Sequence, residues 1–114
     1  MAYMGITNPM NVLEDVGLYR GEFKNFKIEL TNERGERLPI DSIEVKFKIC
    51  DIQDSDIVYV EKTGVPSLAE ESVSDIILET ADTEDLQMSK YQYIVEMIYE
   101  TGNKSIGKGY ITIL

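Results

Sequence analysis

The sequence has 114 residues, enough for one core and too few for two independent ones. A domain of this size buries roughly 65% of the surface its unfolded chain exposes, so it needs neither a disulfide nor a metal to fold. Its 21 acidic and 11 basic residues leave a net charge of −10, which repels phosphate backbones and anionic bilayers and excludes nucleic acid and membrane as expected partners.

Cys50 is the only cysteine, and histidine and tryptophan are missing altogether. No intrachain disulfide can form, and a lone thiol suits a reducing compartment. Met1-Ala2-Tyr3-Met4-Gly5 has neither a basic stretch nor an apolar one, so no signal peptide is expected. No apolar run approaches the ~20 residues that span a bilayer as a helix.

Residues 1–14 keep no period and contain the turn formers Gly5, Asn8-Pro9 and Asn11, which predicts an irregular N-terminal arm. Tyr3, Met4, Ile6, Met10 and Leu13 make that arm apolar. Two outcomes are open: the arm packs on this domain's own core, or it is a subunit-contact arm docking onto a neighbour. From residue 15 to 114 the chain reads as one β-domain.

Val16 and Leu18 alternate with small or polar neighbours before Arg20-Gly21 breaks the run. Phe26, Ile28 and Leu30 share one face of the next strand. Asn32 to Glu36 reads as a turn around Gly35, and Pro39 argues against a central strand after it. Ile43, Val45, Phe47 and Ile49 form the clearest period-two stripe, with Glu44, Lys46 and Lys48 facing away. After a polar turn, Asp51 to Asp56, residues 57–62 are β-branched or aromatic enough for a strand. Gly64, Pro66 and Ser67 open a loop, and Leu68 to Ser72 suit either one helical turn or more loop.

Val73 to Thr80 is strand-like, with Ile76 and Leu78 on one face. A short helical turn is expected over Asp82–Leu86, capped by Asp82. Tyr91, Tyr93, Val95, Met97 and Tyr99 then alternate with Gln92, Ile94, Glu96, Ile98 and Glu100. Thr101 to Lys104 is a hairpin signal, and the last strand, Ser105–Leu114, places Gly107, Gly109, Ile111 and Ile113 on one side. Six or seven strands joined by short turns predict an all-β fold: an antiparallel sandwich of about seven strands.

No catalytic, cofactor-binding or metal-binding residue is expected. One cysteine without histidine cannot build a tetrahedral zinc site. Asp51, Asp54 and Asp56 lack the calcium-loop spacing and read as a polar turn. Cys50 stands beside Asp51, which raises a thiol's pKa, so it reads as inert. Gly107 and Gly109 suggest a bulky residue of the opposite sheet packed close. Tyr91, Tyr93 and Tyr99 read as core, with a sugar- or protein-binding stripe as the alternative. Tyr91 opens its strand five residues after Leu86, the arrangement of a tyrosine corner.

Four features occur in order: Arg20-Gly21-Glu22-Phe23; Glu33-Arg34-Gly35-Glu36 leading to Leu38-Pro39-Ile40; Leu78 with Asp82-Thr83 and Leu86; and Tyr91-Gln92-Tyr93-Ile94-Val95 leading to Gly107-Lys108-Gly109. Over residues 18–114 this resembles the small Ig-like β-sandwich domains of tailed-phage structural proteins, of the tail and baseplate type. It departs from their pattern at Lys90, where a glycine is usual, and in the late Pro39. The resemblance implies a non-enzymatic structural or assembly protein of a virion, made in the bacterial host cytoplasm. Its implied partners are other virion proteins or copies of itself, as a homo-oligomer in the assembled state. An Ig-like module recognising a carbohydrate or cell-surface ligand is the alternative.

Overall fold

The computed structural model describes residues 3–6, 10–30, 43–67, 73–100, 102 and 104–114 and places them in two β-sheets. In chain order the strands are β1 (Tyr3–Ile6), β2 (Met10–Val12), β3 (Val16–Leu18), β4 (Lys24–Leu30), β5 (Glu44–Cys50), β6 (Val58–Thr63), β7 (Val65–Pro66), β8 (Val73–Leu78), β9 (Lys90–Ile98) and β10 (Lys104–Ile113). A four-residue helix, α1 (Thr80–Thr83), separates β8 from β9. One sheet has the order β1-β4-β8-β7; the other runs β2-β10-β9-β5-β6, with β3 also on β10.

The period-two stripes form the core between the sheets. Val45, Phe47 and Ile49 of β5 are buried, as are Tyr93, Val95 and Met97 of β9 and Ile111 and Ile113 of β10. Phe26 and Ile28 of β4 and Ile76 and Leu78 of β8 meet them from the facing sheet. Phe26 stacks on Phe47 at 5.6 Å and Phe47 on Tyr93 at 5.7 Å, so a column of three rings crosses the sandwich. The alternate residues face out and pair across strands: Lys27 with Asp75 at 3.4 Å, Lys48 with Glu96 at 3.2 Å. The Glu96 hydrogen bond holds the Lys48 pKa above its ordinary value.

The all-β sandwich stands, and two details of it differ from expectation. It is not wholly antiparallel: β1 runs parallel to β4, and β2 and β3 run parallel to β10. Nor is the arm over residues 1–14 irregular where it is described, since it contributes β1 to one sheet and β2 to the other. These strands take their ladder hydrogen bonds from distant partners, so they need no hydrophobic period of their own. On the opposite flank the chain also switches sheets, from β6 to β7 through Gly64. A Cβ at Gly64 would strike the Ser74 hydroxyl and come within 3.0 Å of Val45 Cβ, so only glycine fits the crossing.

The expected helical turn begins earlier than Asp82. Glu79 precedes the helix, Asp82 is its third residue, and Asp82 Oδ2 accepts the Glu79 N–H at 2.7 Å. Lys62 of β6 joins the same oxygen at 2.9 Å, pinning α1 to the neighbouring sheet. The turn around Gly35, Pro39 and the Leu68–Ser72 segment lie outside the described residues.

Candidate functional site

Two edges and one end of the sandwich hold the features singled out above. Tyr3, Met4 and Ile6 lie on β1 and Met10 on β2, each paired with a strand of its own chain. Leu13 is buried in the core, and its N–H donates to the Lys108 carbonyl at 2.7 Å. Leu13 therefore belongs to the body of the domain, and any movable arm ends before it.

The arm is fastened by a device that no local pattern announces. Between the β2 and β3 pairings, the four steps from Val12 to Val16 face three steps from Lys108 to Ile111, so the chain bulges by one residue. The Tyr93 hydroxyl reaches into that bulge and donates to the Glu14 carbonyl at 2.6 Å. It passes over Gly109, where a Cβ would stand 2.8 Å from the ring. The bulky neighbour that Gly109 admits is thus the paired residue of the same sheet, Gly109↔Tyr93, and not one of the opposite sheet.

Burial, with help from Asp15 and Glu14, pushes the Tyr93 pKa from its ordinary 10 up to about 12. The folded state therefore holds this proton more tightly than the unfolded chain. The resulting stabilisation is complete below pH 10 and is lost as pH rises towards 12. Denaturation midpoints measured from pH 9 to about 11.5 should fall more steeply for the native chain than for Tyr93→Phe; parallel curves would disprove the linkage.

Beside the bulge lies a shallow cleft of about 380 Å³ lined by Leu13, Asp15, Lys90, Gln92, Lys108 and Tyr110. Lys90 Nζ sits 4.6 Å from the Tyr110 ring centre, a cation–π contact. Gln92 Nε2 donates one of its two N–H groups to the Asp51 carbonyl at 2.7 Å, which fixes the amide at the cleft wall. Two ammonium groups, an amide oxygen, a carboxylate and a half-exposed phenol can hold a polar ligand.

The Tyr91 hydroxyl donates to the Gln87 carbonyl, four residues back, at 2.9 Å. This is the bond a tyrosine corner makes. Tyr91→Phe should cost about 1–1.5 kcal/mol in chemical denaturation, the net worth of one partly buried hydrogen bond; an unchanged midpoint would refute the role. Tyr91 and Tyr93 are buried and Tyr99 packs against the core, so these three tyrosines do not form a binding stripe. Among the described side chains the exposed tyrosines are Tyr19, Tyr59 and Tyr110, which lie outside that stripe.

Cys50 is fully buried, and burial is the main reason its thiol pKa rises; Asp51 is not among the causes. The aspartates of the next turn are engaged locally. Asp51 accepts the Gln53 N–H and the Tyr59 hydroxyl, and Asp54 accepts the Asp56 N–H. Among the described residues no three His, Cys, Asp or Glu side chains converge as a metal site, and no helix is long and apolar enough to cross a membrane.

The fold is similar to that of a phage protein. The chain superposes on the N-terminal domain of phage TP901-1 ORF48 with a TM-score of 0.61 and 11% sequence identity, over 97% of this chain and 95% of that one. No family model and no curated protein matches the sequence.

Proposed function

We propose that this chain is a non-enzymatic structural or assembly protein of a phage particle. It acts in the tail, baseplate or head-to-tail region through contacts between subunits. It is made in the host cytoplasm and ends in the virion. The observation that carries this reading is the fold likeness to a phage protein's N-terminal domain, which extends over nearly the whole of both chains. The ordered sequence features from Arg20 to Gly109 support it, as do the two packed β-sheets and the Tyr91–Gln87 bond.

The arm offers a route to assembly. Its parallel pairings on β4 and β10 are short, four and three residues long, and a neighbour's arm can make the same bonds. The Tyr93–Glu14 bond and buried Leu13 confine the exchange to residues before Leu13. Peptides of the chain should be found by mass spectrometry in gradient-purified particles, and their absence would overturn the assignment. Light scattering should show an oligomer for the full chain and a folded monomer once residues 1–12 are removed.

A second reading, a carbohydrate- or surface-binding module, is favoured by one feature, the Tyr110 cleft with its amide and charged groups. A glycan array that lights up with the native chain and not with Tyr110→Ala would select it.

A further inference from the structure

We propose that the end of the sandwich bearing Tyr19, Phe23, Met88 and Leu114 docks a partner protein surface that is apolar at its centre and basic at its rim. This names a surface and a partner chemistry that membership of a particle does not, and it does not rest on that membership. The strand directions bring three segments to this end: the β3–β4 turn, the β8–β9 connection and the end of β10.

Each segment holds up a large apolar side chain. Tyr19 is 68% exposed, Phe23 64%, Met88 66% and Leu114 49%. The Asp51–Ile57 turn adds Ile52 and Ile57 at the same end, since its Asp51 carbonyl is bonded to Gln92 near the start of β9. Single exposed hydrophobics are ordinary on a soluble protein, whereas their concentration on one end marks an interaction site.

The side chains stand on a braced backbone. Arg20 N–H donates to the Leu114 carbonyl at 3.1 Å, and Leu114 N–H to the Leu18 carbonyl at 2.8 Å. Ile113 N–H donates to the Ser89 carbonyl at 2.9 Å, which ties the Met88 segment to β10. Gly21, at φ 79°, sends its N–H to buried Thr83 Oγ1 at 2.9 Å, which ties the β3–β4 turn to α1. A surface already held in place loses little freedom on binding.

Charge selects the occupant. Residues 19–24, 51–57 and 79–90 contain eight carboxylates, including exposed Asp54, Asp56, Glu79, Glu84 and Asp85, against three cations, Arg20, Lys24 and Lys90. Two copies meeting through this same face would bring like-charged rims within the screening length of ~10 Å, so a twofold self-contact is disfavoured. An anionic bilayer is repelled for the same reason. A different protein surface, with lysines or arginines around apolar residues, satisfies both the centre and the rim.

The test is an NMR titration of the full chain with three synthetic peptides: a helical Leu/Lys amphipath, a Leu/Glu amphipath of the same pattern, and a Lys/Ser peptide of equal charge. The Leu/Lys peptide should shift the signals of Tyr19, Phe23, Met88 and Leu114, bind at least about tenfold more tightly than either control, and weaken as salt is raised. Phe23→Ser with Met88→Ser, both at exposed positions, should cost it about tenfold in affinity without changing the fold. Equal binding of the three peptides overturns the proposal. So do shifts confined to another face, or concentration-dependent self-association through these four residues.

Discussion

Phe47→Ala should destabilise the protein by about 3–5 kcal/mol, the largest loss expected from any single side-chain truncation here. Phe47 is fully buried, and its ring is the middle member of the column that joins Phe26 on one sheet to Tyr93 on the other. Truncation removes the transfer energy of the ring and leaves a cavity whose walls belong to two sheets, which cannot close without moving apart from their own ladders. A domain of this kind is stable by only about 5–15 kcal/mol in total, so the variant should unfold at much lower urea or fail to accumulate. Phe23→Ala is the internal control. That ring is 64% exposed, and its loss should change stability by less than about 0.5 kcal/mol. If the two variants cost alike, the core has been misplaced.

Gly109→Ala should cost about 2–3 kcal/mol, although it adds one methyl group to a strand that tolerates β-substituted residues on either side. The new Cβ would stand 2.8 Å from two atoms of the Tyr93 ring and 2.9 Å from its hydroxyl oxygen. The ring cannot swing aside, because it is fully buried and stacked on Phe47. Its displacement also breaks the bond to the Glu14 carbonyl, so amide exchange at Leu13 should speed up as the arm loosens. A double-mutant cycle isolates the cause. In a Tyr93→Leu background the shorter side chain does not reach over Gly109, and the same substitution should cost under about 1 kcal/mol. Equal costs in both backgrounds would show that the strain lies in the backbone and not against Tyr93.

The two predictions differ in how far the sequence foreshadowed them. Phe47 stands in the clearest alternating stripe, and its burial follows from period alone. The Tyr91 corner was similarly legible, because a tyrosine opening a strand after a tight turn is a local pattern. Gly109 was legible as a close approach, but its partner was not, because the pairing Gly109↔Tyr93 depends on the register set by the β9–β10 hairpin. The arm was the least legible part. Its parallel partners are 24 residues away in β4, as Tyr3↔Lys27, and 96 away in β10, as Met10↔Ile106.

The candidate surfaces divide in the same way. The sequence picked out Tyr91, Tyr93 and Tyr99, which the core consumes, and marked none of Tyr19, Phe23, Met88 and Leu114 as a surface residue. Only the directions of β3, β4, β9 and β10 bring these four to one end.

What the sequence determined by itself is therefore everything carried by local period, turn chemistry and charge: an all-β chain, its inward stripes, its corner tyrosine and its acidic surface. The tertiary structure alone decided which strands lie parallel, that the N-terminal segment joins both sheets, and where exposed apolar residues gather. The physical reason is range. Side-chain alternation and turn propensity are properties of a few consecutive residues, whereas a parallel ladder, a tyrosine laid over a glycine and a patch built from separate turns and a strand end exist only after distant segments have met.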